Sequence, residues 1–244
     1  MTADLKPNAT MSVDLNHVDN WVFDLDNTLY PAECHLFKEI DARMTAFVQD
    51  RLSLDFDAAR RIQKEYYAEY GTTLSGLMQV NKVPPEDFLD YVHEINLAVL
   101  PDSRDLSQTI KDLPGRKFIF TNGSVRHAEN VCGALGIDVA FDGIFDIVAA
   151  NYRPKPHQKT YEQFLATYNI DPNRAAMFED LAVNLEAPHA LGMTTVLIAS
   201  NASWLEDEPH KKRPAKPGET FPHVHHTTEN IGHFLSNANC SATP

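Results

Sequence analysis

Four short apolar runs in this chain stop abruptly at polar residues, and helix-forming sequence lies between them. Trp21-Val22-Phe23 runs into Asp24 and Asp26, and Lys117 to Phe120 runs into Thr121-Asn122-Gly123. Ile144 to Ala149 leads to the basic loop Tyr152-Arg153-Pro154-Lys155-Pro156, and Ala175 to Phe178 leads to Glu179-Asp180. Strands that are apolar at consecutive positions suit a sheet covered on both faces. Their alternation with helices, under right-handed crossovers, predicts an α/β fold: a doubly wound parallel sheet with a Rossmann-like core. In such a sheet ligands bind beyond the carboxyl ends of the strands, where all of these polar residues would gather.

Between the first and second runs the pattern is helical. Leu36, Phe37, Ile40, Met44, Phe47, Val48 and Leu52 recur at helical spacing, and Phe56 to Tyr70 forms a second amphipathic helix ended by Gly71. Leu74 to Val80 reads as a short helix or loop, and Glu86 to Val99 as a helix closed by Pro101. The expected organisation is a core of residues 17–31 and 103–236, an all-helical cap of residues 32–102 inserted into it, and loose tails at 1–16 and 237–244. Further helices are expected at Ser103–Leu113, at Val125–Leu135 behind the N-cap Ser124, at Gln158–Tyr168 and at Leu181–Leu191, with Pro188 either kinking the last or sitting near its end. A strand follows at Thr194–Ala199, then a charged, proline-rich surface loop at 201–221, a short strand at Val224–His226 and a helix at Glu229–Leu235.

The bulk numbers exclude several classes. The net charge of −13 on 244 residues argues against nucleic acid polymers or anionic membranes as partners. No apolar run approaches the roughly 20 residues that a membrane-spanning helix needs, and residues 1–20 lack the apolar stretch of a secretion signal. Three scattered cysteines, Cys34, Cys132 and Cys240, suit a reducing compartment, so a cytoplasmic location is expected. His210, His223, His225, His226 and His233 lie close in sequence without the spacing of a metal site, and read as strand-end and surface residues.

Asp24 and Asp26 alternate onto one side of a strand end and repel each other unless a cation or a proton lies between them. A hard divalent cation with oxygen ligands answers this, and the whole set composes phosphoryl transfer. One aspartate can attack phosphorus, and a second two residues on can protonate the leaving oxygen and then deprotonate water. Magnesium between Asp24 and Asp180 would screen the nucleophile from phosphate, with Lys155 as a further positive charge. The Thr121 hydroxyl and the amides opening the following helix could cradle phosphate oxygens. Burial beneath the cap is expected to raise Asp26 enough for it to carry a proton.

Asp24-Leu25-Asp26-Asn27-Thr28, Thr121-Asn122-Gly123, Lys155-Pro156 and Glu179-Asp180 resemble the four signature motifs of the haloacid-dehalogenase-like phosphatase superfamily. The resemblance implies Asp24 as nucleophile and Asp26 as general acid/base. It implies Mg²⁺ held by the Asp24 side chain, the Asp26 main-chain carbonyl and Asp180, with Glu179 near its waters. It also implies phosphate bound by Thr121, Asn122 and Lys155, and a helical lid over the site. Tyr66-Tyr67, Tyr70 to Leu74, Tyr91 to Ile95 and Ala175 to Asp180 with Asn184-Leu185 are similar to the pyrimidine 5'-nucleotidase branch, which often has Ala or Asp where Gly123 stands. The expected activity is a phosphomonoesterase acting on a small phosphorylated substrate, a nucleoside 5'-monophosphate. The alternatives are a sugar-phosphate phosphatase, a β-phosphoglucomutase-like phosphomutase and a haloacid dehalogenase, the last disfavoured because it needs neither Asp26 nor Asp180. Tyr67, Tyr70 and His93 are the cap residues able to meet a base, with packing inside the cap as their plainer role.

Overall fold

The computed structural model describes residues 13–137, 141–204 and 213–240. Its strands are β1 (Asn20–Phe23), β2 (Arg116–Phe120), β3 (Gly143–Phe145), β4 (Ala175–Glu179), β5 (Thr194–Ile198) and β6 (His226–Thr228). Its α-helices are α1 (Leu36–Leu52), α2 (Phe56–Tyr70), α3 (Thr73–Asn81), α4 (Pro85–Val92), α5 (Arg104–Asp112), α6 (Val125–Leu135), α7 (Gln158–Tyr168), α8 (Glu186–Leu191) and α9 (Ile231–Ser236). The strands form one six-stranded sheet in the order β3-β2-β1-β4-β5-β6, and every neighbouring pair is parallel. The chain grows outward from β1 on one side and then returns to build β4 on its other side. The strand order therefore reverses beside β1, the position at which doubly wound sheets open a crevice.

Pleating sends successive side chains to opposite faces. Trp21 and Phe23 enter one apolar layer with Ile119, Phe178 and Val196, whereas Val22 enters the other with Phe118, Phe120, Met177 and Leu197. Two covered faces are the reason the strands read as unbroken apolar runs. Trp21 also brings a donor inside, and its Nε1 gives it to the Pro114 carbonyl at 2.7 Å, so the large ring is buried without an unpaired N–H.

Helices α1–α4 lie between β1 and β2 and close a separate core around Ile40, Val48, Leu74, Leu77, Phe88 and Val92. Two of them begin on side-chain caps: Asp55 accepts from the Ala58 N–H and Thr72 from the Ser75 N–H. Gly76 of α3 faces the Tyr66 ring of α2 so closely that a Cβ there would collide with it, which lets the two helices pack tightly.

Several elements differ from the sequence expectation for identifiable reasons. The helix expected over Glu86–Val99 ends at Val92; Asn96 then accepts from the Ala98 N–H at 3.0 Å and caps a separate 3₁₀ turn at Leu97–Val99. Leu74–Val80 lies inside the full helix α3. The strand expected to reach Ala149 stops at Phe145, because the Asp146 carboxylate accepts from the Ala149 and Val125 N–H groups at 2.8 and 3.1 Å and folds the chain into a turn. Leu181–Leu191 divides into a 3₁₀ turn (Ala182–Leu185) and α8, with Pro188 in the first turn of α8, where its missing N–H costs nothing. β6 begins at His226 rather than Val224, and α9 begins at Ile231 behind Asn230, which accepts from the His233 N–H.

Residues 13–16 and 237–240, expected within the loose ends, are packed together: Leu15 is buried and donates to the Asn239 carbonyl at 3.0 Å. His223 meets the Ala182 carbonyl at 2.7 Å, His225 accepts from the Thr195 N–H at 3.0 Å, and His226 packs on Phe234. His210 lies outside the described residues. Among the described residues no helix is long and apolar enough to cross a membrane.

Candidate active site

The carboxyl ends of β1, β2 and β4 and the loop after β3 converge on one cavity, lined by Asp24, Asp26, Thr121, Asn122, Lys155, Glu179 and Asp180. All seven residues singled out in the sequence therefore share one space. Its opposite wall comes from the helical insertion and includes Phe37, Asp41, Met44, Gln63, Lys64 and Tyr67.

Asp24 leaves β1 with its N–H still donating to the Phe178 carbonyl at 2.9 Å, so the strand pairing fixes its backbone. Its carboxylate receives Lys155 Nζ at 2.6 Å on Oδ1 and the Thr28 hydroxyl at 3.2 Å on Oδ2. Lys155 is 2% exposed and is shared: Nζ also reaches Glu179 Oε2 at 2.6 Å and the Phe120 carbonyl at 3.0 Å. Of the cations in this stretch, Lys155 lines the cavity and Arg153 and Lys159 do not. Asn122 braces the lysine's main chain, accepting the Lys155 N–H at 2.9 Å and reaching the Lys155 carbonyl with its amide at 3.4 Å. The Thr121 hydroxyl accepts from the Gly123 N–H at 2.9 Å beside the start of α6. Asn184 holds the far oxygen of Glu179 at 2.6 Å.

Asp24, Glu179 and Asp180, all buried, each place a carboxylate oxygen within 4.8 Å of the others. One ammonium among three buried carboxylates leaves two negative charges uncompensated. Burial and the adjacent Glu179 push Asp24 up to about 7 despite Lys155, and burial, Glu179 and Asp24 push Asp180 well above the usual carboxylate range. Asn27 donates to Asp180 Oδ2 at 3.4 Å while its own buried Oδ1 has no partner. Hard oxygen donors, a deficit of two positive charges and an orphaned acceptor together fit a divalent cation such as Mg²⁺.

The sign of the pH effect follows. A carboxyl group raised on folding stabilises the metal-free protein below its unfolded value and loses that contribution as pH rises through about 7. Metal-free protein is expected to be weaker at pH 8 than at pH 5. A divalent cation such as Mg²⁺, taken up by the deprotonated carboxylates, should restore the loss at pH 8 by about 2.7 kcal/mol at a hundredfold excess over Kd. Thermal melts with Mg²⁺ and with chelator at both pH values check this, and a melting temperature indifferent to Mg²⁺ at pH 8 contradicts it.

Asp26 departs from expectation. Burial would raise it, but the charge and hydrogen bond of His127, with the Tyr30 hydroxyl, outweigh burial and hold it below the ordinary carboxylate value. His127 Nε2 lies 2.9 Å and the Tyr30 hydroxyl 2.6 Å from Asp26 Oδ1. His127 was invisible in the sequence as a partner of Asp26. Tyr30 lies four residues beyond Asp26, at the end of the turn that follows β1.

In the insertion, the Asp41 carboxylate is bound by Arg60 at 3.0 Å, Gln63 at 2.5 Å and Lys64 at 2.8 Å, and this network also escaped the sequence reading. Tyr67 lines the cavity, whereas Tyr70 packs edge-on against Tyr66. The 201–221 segment, expected as a surface loop, contributes Trp204 and Pro214 to the cavity wall. Trp204 stacks on Phe37 and donates to the Ala32 carbonyl at 2.8 Å, and Ala215 donates to the Asp180 carbonyl at 3.2 Å.

A family model described as haloacid dehalogenase-like hydrolase matches residues 18–192. Among curated proteins, Phosphate metabolism protein 8 of Saccharomyces cerevisiae is 28% identical over 191 residues, covering 72% of this chain; the chain spans only 60% of that relative's length. Among solved structures, CbbY from Rhodobacter sphaeroides in complex with phosphate superposes with a TM-score of 0.60 at 19% identity, over 90% of this chain and 98% of that one. The HAD-hydrolase YfnB from Bacillus subtilis bound to magnesium gives 0.57 at 13%, over 91% and 99%. L-2-haloacid dehalogenase from Xanthobacter autotrophicus gives 0.54 at 12%, over 90% and 97%. At these identities the structural likeness is one of fold.

Proposed function

The chain belongs to the haloacid dehalogenase-like hydrolases, and we propose that it is a magnesium-dependent phosphomonoesterase that passes through an aspartyl-phosphate on Asp24 and acts on a nucleoside 5'-monophosphate. The observation that carries the reading is the placement of Asp24 between a buried lysine at 2.6 Å and an uncompensated acidic cluster, with Asp26 in the same cavity. Mg²⁺ held by Asp24, the Asp26 carbonyl and Asp180, with Glu179 reached through water, would offset the charge of the incoming phosphate. An Asp24 oxygen bonds to phosphorus as the ester P–O bond breaks, and the leaving oxygen takes its proton from Asp26. Asp26 then removes a proton from the water that attacks phosphorus and frees Asp24.

Asp26 is held low in the free protein, so its acid form must be induced. A phosphate dianion placed beside it disfavours its charge and raises its proton affinity. Thr121, the N–H groups opening α6 and Lys155 hold the non-bridging oxygens, while Asn122 keeps the lysine's main chain in place.

The nucleotide assignment rests on resemblance and on the insertion wall, where apolar Phe37 and Met44 alternate with the polar Asp41, Gln63 and Tyr67. That mixture suits a planar heterocycle with hydrogen-bonding edges. A second reading, a sugar phosphate, is favoured by a fold neighbour whose structure holds xylulose-1,5-bisphosphate. Phosphate release from a panel of nucleoside monophosphates and sugar phosphates, with and without Mg²⁺, separates the two. The nucleotide reading expects the highest kcat/KM on a nucleotide. A sugar phosphate ranking first transfers the assignment, and no release above an Asp24→Asn control ends the phosphatase reading.

A further inference from the structure

Asp26 is gripped on one oxygen only. Oδ1 receives both the Tyr30 hydroxyl at 2.6 Å and His127 Nε2 at 2.9 Å, while Oδ2 has no hydrogen bond among the described residues. Two donors on one oxygen stop the carboxylate from turning and leave Oδ2 as the oxygen that exchanges a proton. His127 is itself fixed. It lies in the first turn of α6, is 1% exposed, and donates its N–H to the Ser124 hydroxyl at 3.2 Å.

One face of the His127 ring is covered by the helical insertion. His93, just past the end of α4, stacks on it with ring centroids 4.1 Å apart and planes 8° from parallel. His93 Nδ1 stands 3.4 Å from the Ser124 hydroxyl. Gly123 leaves room for this arrangement: a Cβ there would lie 3.2 Å from His127 Cδ2 and 3.6 Å from His93 Nε2.

We propose that His127 is a positioning residue for the Asp26 carboxylate, and that His93 makes this positioning depend on the helical insertion being seated against the core. The proposal rests on the reading of Asp26 as acid and base. A lid that carries one ring of the stack links closure to chemistry: with the insertion displaced, His127 loses the surface that holds its plane, and Oδ2 loses its aim. Misplacement of a reacting group by about 1 Å costs on the order of 10²-fold in rate.

The test compares His127→Leu, which removes the donor, with His127→Gln, whose side-chain amide can place an N–H near the position of Nε2. The expected result is a loss of about 10²-fold in kcat for His127→Leu, with KM changed less than about threefold, and recovery of at least about tenfold by His127→Gln. His93→Ala should lower kcat by several-fold. A loss that falls on KM, or no recovery by glutamine, overturns the proposal. A second measurement is independent of turnover: nuclear magnetic resonance of isotope-labelled histidine in the metal-free protein. Asp26→Asn must shift the His127 Nε2 resonance and His93→Ala must shift or broaden it; a resonance unmoved by either substitution overturns the proposal even if no substrate is hydrolysed. Absence of activity above the Asp24→Asn control, with the resonance responding as expected, counts against the phosphatase reading alone.

Discussion

Replacing Asp24 with asparagine is expected to abolish turnover, by about 10⁴-fold or more, the scale on which loss of a covalent nucleophile is felt. The amide cannot form the acyl-phosphate, and it removes one of the three carboxylates grouped at the candidate metal site. Stability should move the other way. Asp24 is strained by burial and by Glu179, so a neutral side chain of the same shape relieves repulsion, and Lys155 keeps its contact with Glu179 at 2.6 Å. The metal-free variant is therefore expected to melt no lower than the parent at pH 8 and to gain less from Mg²⁺. Single-turnover phosphate release and paired melts measure both effects. A variant with a tenth of parental activity would rule Asp24 out as the nucleophile.

Lys155→Met carries the second large effect, and here activity and stability fall together. Lys155 is 2% exposed, and its ammonium is the shared cation of Asp24 and Glu179. Removing one partner of a buried ion pair leaves the other charged without compensation and costs about 3–5 kcal/mol. For a chain of this size that corresponds to a fall of roughly 10 °C in melting temperature. The pH dependence identifies the cause. Without its lysine Asp24 is raised further, so the deficit should be largest above neutrality and shrink as pH falls toward 5 and the carboxyl takes up a proton. Denaturation curves at pH 5 and pH 8 decide it. A deficit that is equal at both would mean that the lost hydrogen bond to the Phe120 carbonyl, rather than the pairing with Asp24, supports the fold.

Much of this architecture was legible because it obeys two periods. Strands buried on both faces leave unbroken apolar runs, as at Phe118–Phe120, and each run ends where a polar ligand begins. The residues that carry the charge pattern of the site, from Asp24 to Asp180, were readable for that reason. What escaped has a common physical origin: side chains that act on the backbone or on distant partners. Asp146 ends β3 early by capping a turn, and Asn96 separates α4 from the 3₁₀ turn that follows. His127 meets Asp26 across 101 residues of chain, a separation that no local pattern encodes. Trp204 sits in a stretch whose charge and proline content suggested solvent, yet its ring closes the cavity against Phe37. The lowered proton affinity of Asp26 was missed with His127, since burial alone argues for the opposite direction.

The central position of β1 has a bearing on how the molecule assembles. Its two partners are Arg116–Ile119 on one side and Ala175–Phe178 on the other, so the first strand of the sheet must wait for the whole helical insertion before one edge is satisfied and for Ala175–Phe178 before the other is. The helices α1–α4 draw only Ile147 of their buried core from outside the insertion, so they can gather most of that core before then. During synthesis the aspartate-bearing strand is thus a long-unpaired guest beside an already ordered helical unit, and the acidic pocket is among the last features to exist.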